Sequence, residues 1–251
     1  MLVTPIKGLR VSERSEVMVG ACGVVDNRRF LLLDAAGRMV NGKRLGALQT
    51  LTADYDPSTR RLDIGFPDGT LVSGEPLPGA PLTARFFSSA MAARAVDGPW
   101  SAALSEYLGE HVTLVRSELD AGAVDRGADG AVSLISRGTL ERLAGAAGVR
   151  TLDARRFRML FEIDGLAPHG EDAWIGVRVQ IGEAVIVPRG HVGRCLVTGR
   201  DPDSGVSDIA TLDALAGYRE DAGTTEPLAA GVYGEVEQPG VVRVGDAVTA
   251  L

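Results

Sequence analysis

The chain has 251 residues, 45% of them hydrophobic and 24% charged, with a formal net charge of −7. That length suits one large or two small domains, each able to bury a core without disulfides. The acidic balance excludes general nucleic-acid affinity, which needs a basic surface, and no apolar run approaches the ~18 residues of a membrane-spanning helix. The opening MLVTPIKGLR lacks the apolar stretch of a secretory signal, so a cytoplasmic protein is expected. Two cysteines, Cys22 and Cys195, make no disulfide framework and cannot hold an iron–sulfur cluster. The histidines (His111, His169, His191) have no zinc-ligand spacing.

Residues 1–75 read as short strands split by turn signals. Val17–Val19, Phe30–Asp34, Leu48–Tyr55 and Arg61–Phe66 are β-prone, with turns at Asp56-Pro57 and Pro67-Asp68-Gly69. Such spacing predicts a small barrel or sandwich. The Pro- and Gly-rich stretch Gly74–Pro81 is a candidate boundary. A helix follows, with Trp100, Ala103, Leu104, Tyr107 and Leu108 on one face, Pro99 at its first position and Gly109 as terminator. A second helix spans Gly138–Ala147 with Ser136 as its N-cap. Strands resume at Val177–Ile181, Ala184–Val187 and Arg194–Thr198. The tail, Gly231–Val236 and Val241–Val244, reads as a closing hairpin through Gln238-Pro239-Gly240.

Five segments of the second half and two near the start then carry a resemblance. Gly193-Arg194-Cys195-Leu196-Val197-Thr198-Gly199-Arg200-Asp201-Pro202-Asp203-Ser204-Gly205 resembles the R-C-x-x-T-x-x-D-P-x-T/S-G motif of the MOSC family, the molybdenum-cofactor sulfurase C-terminal domain. Phe157-Arg158 followed by Glu171-Asp172-Ala173-Trp174 resembles its F-R-P-N … E-D-x-W pattern. Leu212–Arg219, Gly231-Val232-Tyr233 and Pro239–Asp246 resemble its L-x-x-L-x-x-Y-R, G-x-Y and P-G-x-I-x-V-G-D segments. Thr4-Pro5-Ile6-Lys7-Gly8 and Arg28-Arg29-Phe30-Leu31-Leu32 are similar to the β-barrel domain that precedes MOSC. The two-domain form is similar to that of the family's amidoxime-reducing members.

The resemblance implies a mainly β fold with some helix, of the α+β class. Residues 1–80 would form a small N-terminal β-barrel and 81–251 a mixed, barrel-like MOSC domain with its core motifs in 155–248. An anion pocket is expected between them. It also implies a molybdenum cofactor (molybdopterin), a small-molecule substrate, and a separate electron-donor protein or sulfur donor. Two activities stay open: reduction of N-hydroxylated or N-oxide compounds, and sulfur transfer through a persulfide on Cys195. A third reading is a repurposed pocket that binds a small anion without molybdenum.

Taken alone, Cys195 reads as a buried structural cysteine, because free cysteine is among the most buried residue types. Within the motif it is the implied catalytic residue and metal ligand, since a soft thiolate suits molybdenum and cations such as Arg194 and Arg200 favour the ionised thiol. Cys22, outside any motif, reads as structural. Lys7, Arg28, Arg158, Arg194 and Thr198 stand where the family binds its cofactor, whose phosphate needs fixed cations and donors. Asp201 is the second catalytic candidate, to order a water at the metal or to hydrogen-bond its own loop. Glu171 and Asp172 suit capping as well as catalysis, and His191 suits a proton donor or a plain loop histidine. Three departures bear on the pterin site: Met159-Leu160 replaces Pro-Asn, Asn41-Gly42-Lys43-Arg44 replaces T-x-R-Q, and Asp129-Gly130-Ala131 lacks a proline. Each is expected to remove a donor or reshape a wall.

Overall fold

An uninterrupted apolar run, Phe30-Leu31-Leu32-Leu33, organises the first half of the chain. In the computed structural model, which describes residues 1–86, 89–118 and 126–251, this run forms the strand Phe30–Asp34. Phe30 and Leu32 face a core with Leu48, Ile64, Trp100, Leu104 and Leu114. Leu31 and Leu33 face a second core with Ala84, Met91, Ala93 and Val115. Burial on both faces is why the strand reads as continuous rather than alternating. It pairs antiparallel with Val112–Ser117, and the sheet continues through Ser89–Asp97 to Leu77–Phe86. A three-stranded meander, Thr52–Asp56, Arg61–Gly65 and Leu71–Gly74, completes this part. The helix Trp100–Leu108 ends at Gly109, whose φ of 68° suits a residue without Cβ. Its Trp100 indole donates to the Val72 carbonyl at 3.2 Å, docking helix on meander.

The second half is built on a curled six-stranded sheet in the order Phe161–Ile163, Val132–Ser136, Ala229–Gln238, Ala184–Gly193, Val179–Ile181, Val248–Ala250. Its one parallel pair, Val132–Ser136 with Phe161–Ile163, is joined through the helix Arg137–Ala146, as a crossover requires. Ser136 caps that helix, its Oγ accepting from Thr139 N–H at 3.0 Å. This helix and Thr211–Arg219 cover one face of the sheet. The other face packs Leu134, Leu160, Phe161, Ile186 and Val232 against Val17, Val19 and Val242. The protein is thus mainly β, with three α-helices among the described residues. No helix among them is long and apolar enough to cross a membrane.

Four expected elements differ. Leu48–Tyr55 divides into a 3-10 turn, Gly46–Thr50, and the strand Thr52–Asp56. Within Gly74–Pro81 the chain already enters the strand Leu77–Phe86, which tolerates Pro78 and Pro81 at a sheet edge. The strands Leu77–Phe86, Ser89–Asp97 and Val112–Ser117 share a sheet with Phe30–Asp34. Arg194–Thr198 is no strand: the chain leaves Ala184–Gly193 and winds into a 3-10 turn, Leu196–Gly199. The closing hairpin does not form either. Gly240–Arg243 crosses to pair with Glu16–Gly20 near the other end of the chain.

Candidate functional site

The segment Thr4–Lys7 runs beside Arg28–Phe30. Arg28 N–H donates to Thr4 O at 2.7 Å, Phe30 N–H to Pro5 O at 2.9 Å and Lys7 N–H to Phe30 O at 2.8 Å. This pairing sets Lys7 and Arg28 side by side at the edge of the first half. Arg28 then reaches the second half, donating to the Arg158 carbonyl at 3.0 Å. Arg158 reciprocates across the junction, donating to Leu9 O at 2.7 Å. Both arginines have a left-handed backbone with φ of 54°. That conformation is uncommon for a residue with a long side chain and is retained where surrounding contacts demand it.

Between the two halves lies a pocket of about 480 Å³, within the usual range for small-molecule sites. Its lining includes six cations (Lys7, Arg28, Lys43, Arg126, Arg158 and Arg194) and, among the described residues, one carboxylate, Glu226. Cys195 and Thr198 line it as well, with Met159, Phe157 and Tyr233 as its less polar walls.

Cys195 lies just past the strand Ala184–Gly193, half-buried, where the backbone turns into Leu196–Gly199. Its neighbour Arg194 is held by protein acceptors: Nε donates to Ala230 O at 2.8 Å and Nη1 to Phe157 O at 3.0 Å. Nη2 contacts the Met159 sulfur at 2.9 Å. Burial pulls the Arg194 guanidinium down to about 9, opposed by the negative charge of a Cys195 thiolate. It therefore stays a fixed cation at neutral pH. On the other side, Glu226 accepts the Gly193 N–H at 2.8 Å and a forked pair from Arg126 at 2.6 Å. Arg126 in turn lies 4.5 Å above the Tyr233 ring, a cation–π contact. The thiol is thus presented from a turn pinned on both flanks.

The MOSC domain family model matches residues 102–249, more than half of the chain. The chain belongs to the MOSC family. The family's N-terminal beta barrel domain matches residues 1–110 of this MOSC protein. Mitochondrial amidoxime-reducing component 1 from Mus musculus is 34% identical over 112 residues, 41% of this chain and 31% of that relative. The match therefore spans less than a third of the relative's own length. Among solved structures, the YUAD protein from Bacillus subtilis aligns over 99% of this chain and 91% of its own, at 12% identity and a TM-score of 0.47. YiiM from Geobacillus stearothermophilus aligns over 50% of this chain and 56% of its own, at 18% identity and a TM-score of 0.37.

In this MOSC protein, Lys7, Arg28, Arg158, Arg194, Cys195 and Thr198 meet at one pocket, and Asp201 is not on its wall. The Asp201 carboxylate instead organises its own loop, accepting from Ser204 N at 2.7 Å, Ser204 Oγ at 2.8 Å and Asp203 N at 3.1 Å. Those bonds hold its pKa below the usual carboxylate value. Thr198 lines the pocket but spends its hydroxyl on Cys195 O at 3.0 Å and on Thr211 Oγ1 at 2.7 Å, so it clamps the turn. Arg200 donates to Gly205 O and Lys43 O rather than flanking the thiol. Cys22 lies outside the lining.

The departures sort differently from expectation. Leu160 is no pocket wall; it is 4% exposed and belongs to the core beneath the sheet. Met159 does face the pocket. The Asn41–Lys43 stretch also lines it and contributes the Lys43 cation. Arg126 and Glu226 were not legible as site residues, because their contact spans 100 positions and carries no local pattern, and the G-x-Y motif that holds Tyr233 does not reveal its contact with Arg126.

The acidic pair, His169 and His191 lie behind the turn. Glu171, fully buried, accepts from Ser136 N at 3.2 Å and Thr139 Oγ1 at 2.8 Å. Asp172 takes Arg219 Nη2 at 2.5 Å, and Arg219 Nε donates to Ala229 O at 2.6 Å. His191 faces Asp172 at 3.6 Å and its Nδ1 accepts from Thr225 N–H at 3.1 Å. His169 Nε2 meets the Tyr218 hydroxyl at 3.1 Å, and burial with the nearby Arg219 charge brings its pKa down to about 4. None of these side chains is part of the pocket lining. Among the described residues, no group of His, Cys, Asp and Glu could hold a metal ion by itself.

Proposed function

We propose that this MOSC protein is a molybdenum-cofactor oxidoreductase that reduces N-hydroxylated or N-oxide compounds with electrons from a separate protein. One observation carries the reading: a half-buried thiol, Cys195, shares a pocket with six cations and, among the described residues, one carboxylate. That donor set suits a ligand with a soft metal at one end and a phosphate at the other. A thiolate is a good ligand for a soft metal centre, and guanidinium and ammonium groups are the standard partners of phosphate. Lys7, Arg28 and Arg158 would hold the phosphate-bearing end and Cys195 would be the protein ligand to the metal. Arg194, charged at neutral pH, would add a fixed cation to the pocket wall beside the thiol.

When bound, the cofactor supplies two-electron redox chemistry at its metal. In the net reaction, an N-hydroxylated substrate takes up two electrons and two protons, its N–O bond breaks, and the oxygen leaves as water. The two cysteines of this chain fall short of an iron–sulfur cluster's ligand set, so the electrons would come from a partner. The test is turnover of an amidoxime to the amidine by protein purified from a host that makes the cofactor, with a chemical reductant as donor. Reduction that scales with molybdenum loading is expected. Molybdenum-free protein without reduction, carrying the mass of one added sulfur atom on Cys195, would point to sulfur transfer instead.

A further inference from the structure

The Asp-Pro-Asp-Ser-Gly stretch after the Cys195 turn lies off the pocket, yet it is anchored from both halves of the molecule. Arg10, from the first half, donates to Asp203 O at 2.8 Å and pairs with its carboxylate at 3.2 Å. Arg155, from the second, grips the same carboxylate with two bonds of 2.9 Å. So fixed, the loop presses on residues 41–46. Gly205 (φ 71°) and Gly46 meet backbone to backbone: a Cβ on Gly205 would lie 2.0 Å from Gly46 O, and one on Gly46 2.3 Å from Gly205 O. Only glycine allows that approach. Arg200 bridges the contact, with Nη1 on Gly205 O at 2.8 Å and Nη2 on Lys43 O at 3.2 Å. The Asn41 side chain closes the Lys43 turn by accepting its N–H at 3.0 Å, and Gly42 abuts Val197 in the turn after Cys195. Lys43 itself lines the pocket.

We infer that Arg200 is a positioning residue: through the Lys43 carbonyl it holds the 41–46 segment across the junction, so that the Lys43 side chain binds the anionic end of the pocket's ligand. The inference rests on the proposed reading of the pocket as an anion site. It assigns the loop after Cys195 a mechanical task, coupling the thiol turn to a cation contributed by the other half. Because Arg200 grips the Lys43 backbone, truncating the Lys43 side chain leaves the latch itself in place.

A double-mutant cycle tests this by titrating inorganic pyrophosphate into the full chain by calorimetry. Lys43→Ala is expected to weaken binding about tenfold, the order of one charge-assisted hydrogen bond. Arg200→Ala should weaken it by a similar factor, and the double variant no further than either single one. Arg200→Lys, which keeps the charge but loses the fork, should fall short of wild type. Unfolding midpoints separate positioning from packing: the stability lost in Arg200→Ala must persist in the Lys43→Ala background while its effect on binding disappears. Additive losses would overturn the latch, and unchanged affinity in Lys43→Ala would overturn the role of that side chain. No pyrophosphate binding by the wild type would overturn the anion pocket and the inference together.

Discussion

Two groups of charged residues on either side of the Cys195 turn differ in how they are used. In front of the Cys195 turn, charges line an open pocket, cations outnumber carboxylates, and the thiol is within reach of a ligand. Behind it, Glu171, Asp172, His191 and Arg219 are buried or half-buried and bond to one another or to backbone. Arg158 and Arg194 in the first group, and Glu171, Asp172 and Arg219 in the second, come from segments with the same kind of motif resemblance. The difference teaches that a motif residue serves either chemistry or architecture, and that its place on or off the pocket wall tells the two apart. Arg158 and Arg219 illustrate this. Each follows an aromatic residue or lies beside one in its motif, yet the first lines the pocket while the second, 6% exposed, ties Asp172 to the Ala229 carbonyl.

The contrast can be broken by substitutions on each side. Cys195→Ser should reduce molybdenum-dependent activity to background while shifting the unfolding free energy by less than about 1.5 kcal/mol, since sulfur and oxygen differ little in volume. Arg219→Leu should do the reverse. Removing one partner of a buried charge pair costs about 3–5 kcal/mol, read as a lower denaturant midpoint, with pyrophosphate affinity of the folded fraction kept. Equal loss of anion binding in Arg219→Leu would erase the distinction between the two groups.

Leu160→Asn sharpens the comparison. It restores the family's residue type, but at a core position, so it should cost about 2–4 kcal/mol and give no gain in ligand affinity. A smaller effect belongs to His169. Its folded pKa of about 4 lies below the ordinary histidine value, so the unfolded chain binds the extra proton between roughly pH 6.5 and pH 4. The stability linked to His169 is complete above that window and is lost as pH falls through it. His169→Gln should flatten this part of the stability profile in denaturant titrations run from pH 7 to pH 4.

Much of this was legible in the sequence where the signal is local. The Phe30–Leu33 run, the Trp100–Leu108 periodicity, the Ser136 cap and the Cys195 motif each depend on neighbours a few positions apart. What was missed depends on distant pairing. Gly240–Arg243 reads as half of a hairpin until Glu16–Gly20 is available as its partner. Leu196-Val197-Thr198 has strand composition, but Thr198 and Thr211 wind it into a turn. The Arg126–Glu226 pair and the Arg200 latch join residues about 100 and 157 positions apart, so no spacing rule could find them.

The central claim is that Cys195 belongs to a cofactor-binding pocket and Cys22 does not. The molybdenum-to-protein ratio, measured by elemental analysis on wild type, Cys195→Ser and Cys22→Ser from a host that makes the cofactor, tests it most directly. Near-stoichiometric metal in wild type and Cys22→Ser, with background metal in a folded Cys195→Ser, is the predicted result. Metal absent from the wild type, or equal in all three proteins, would contradict the account.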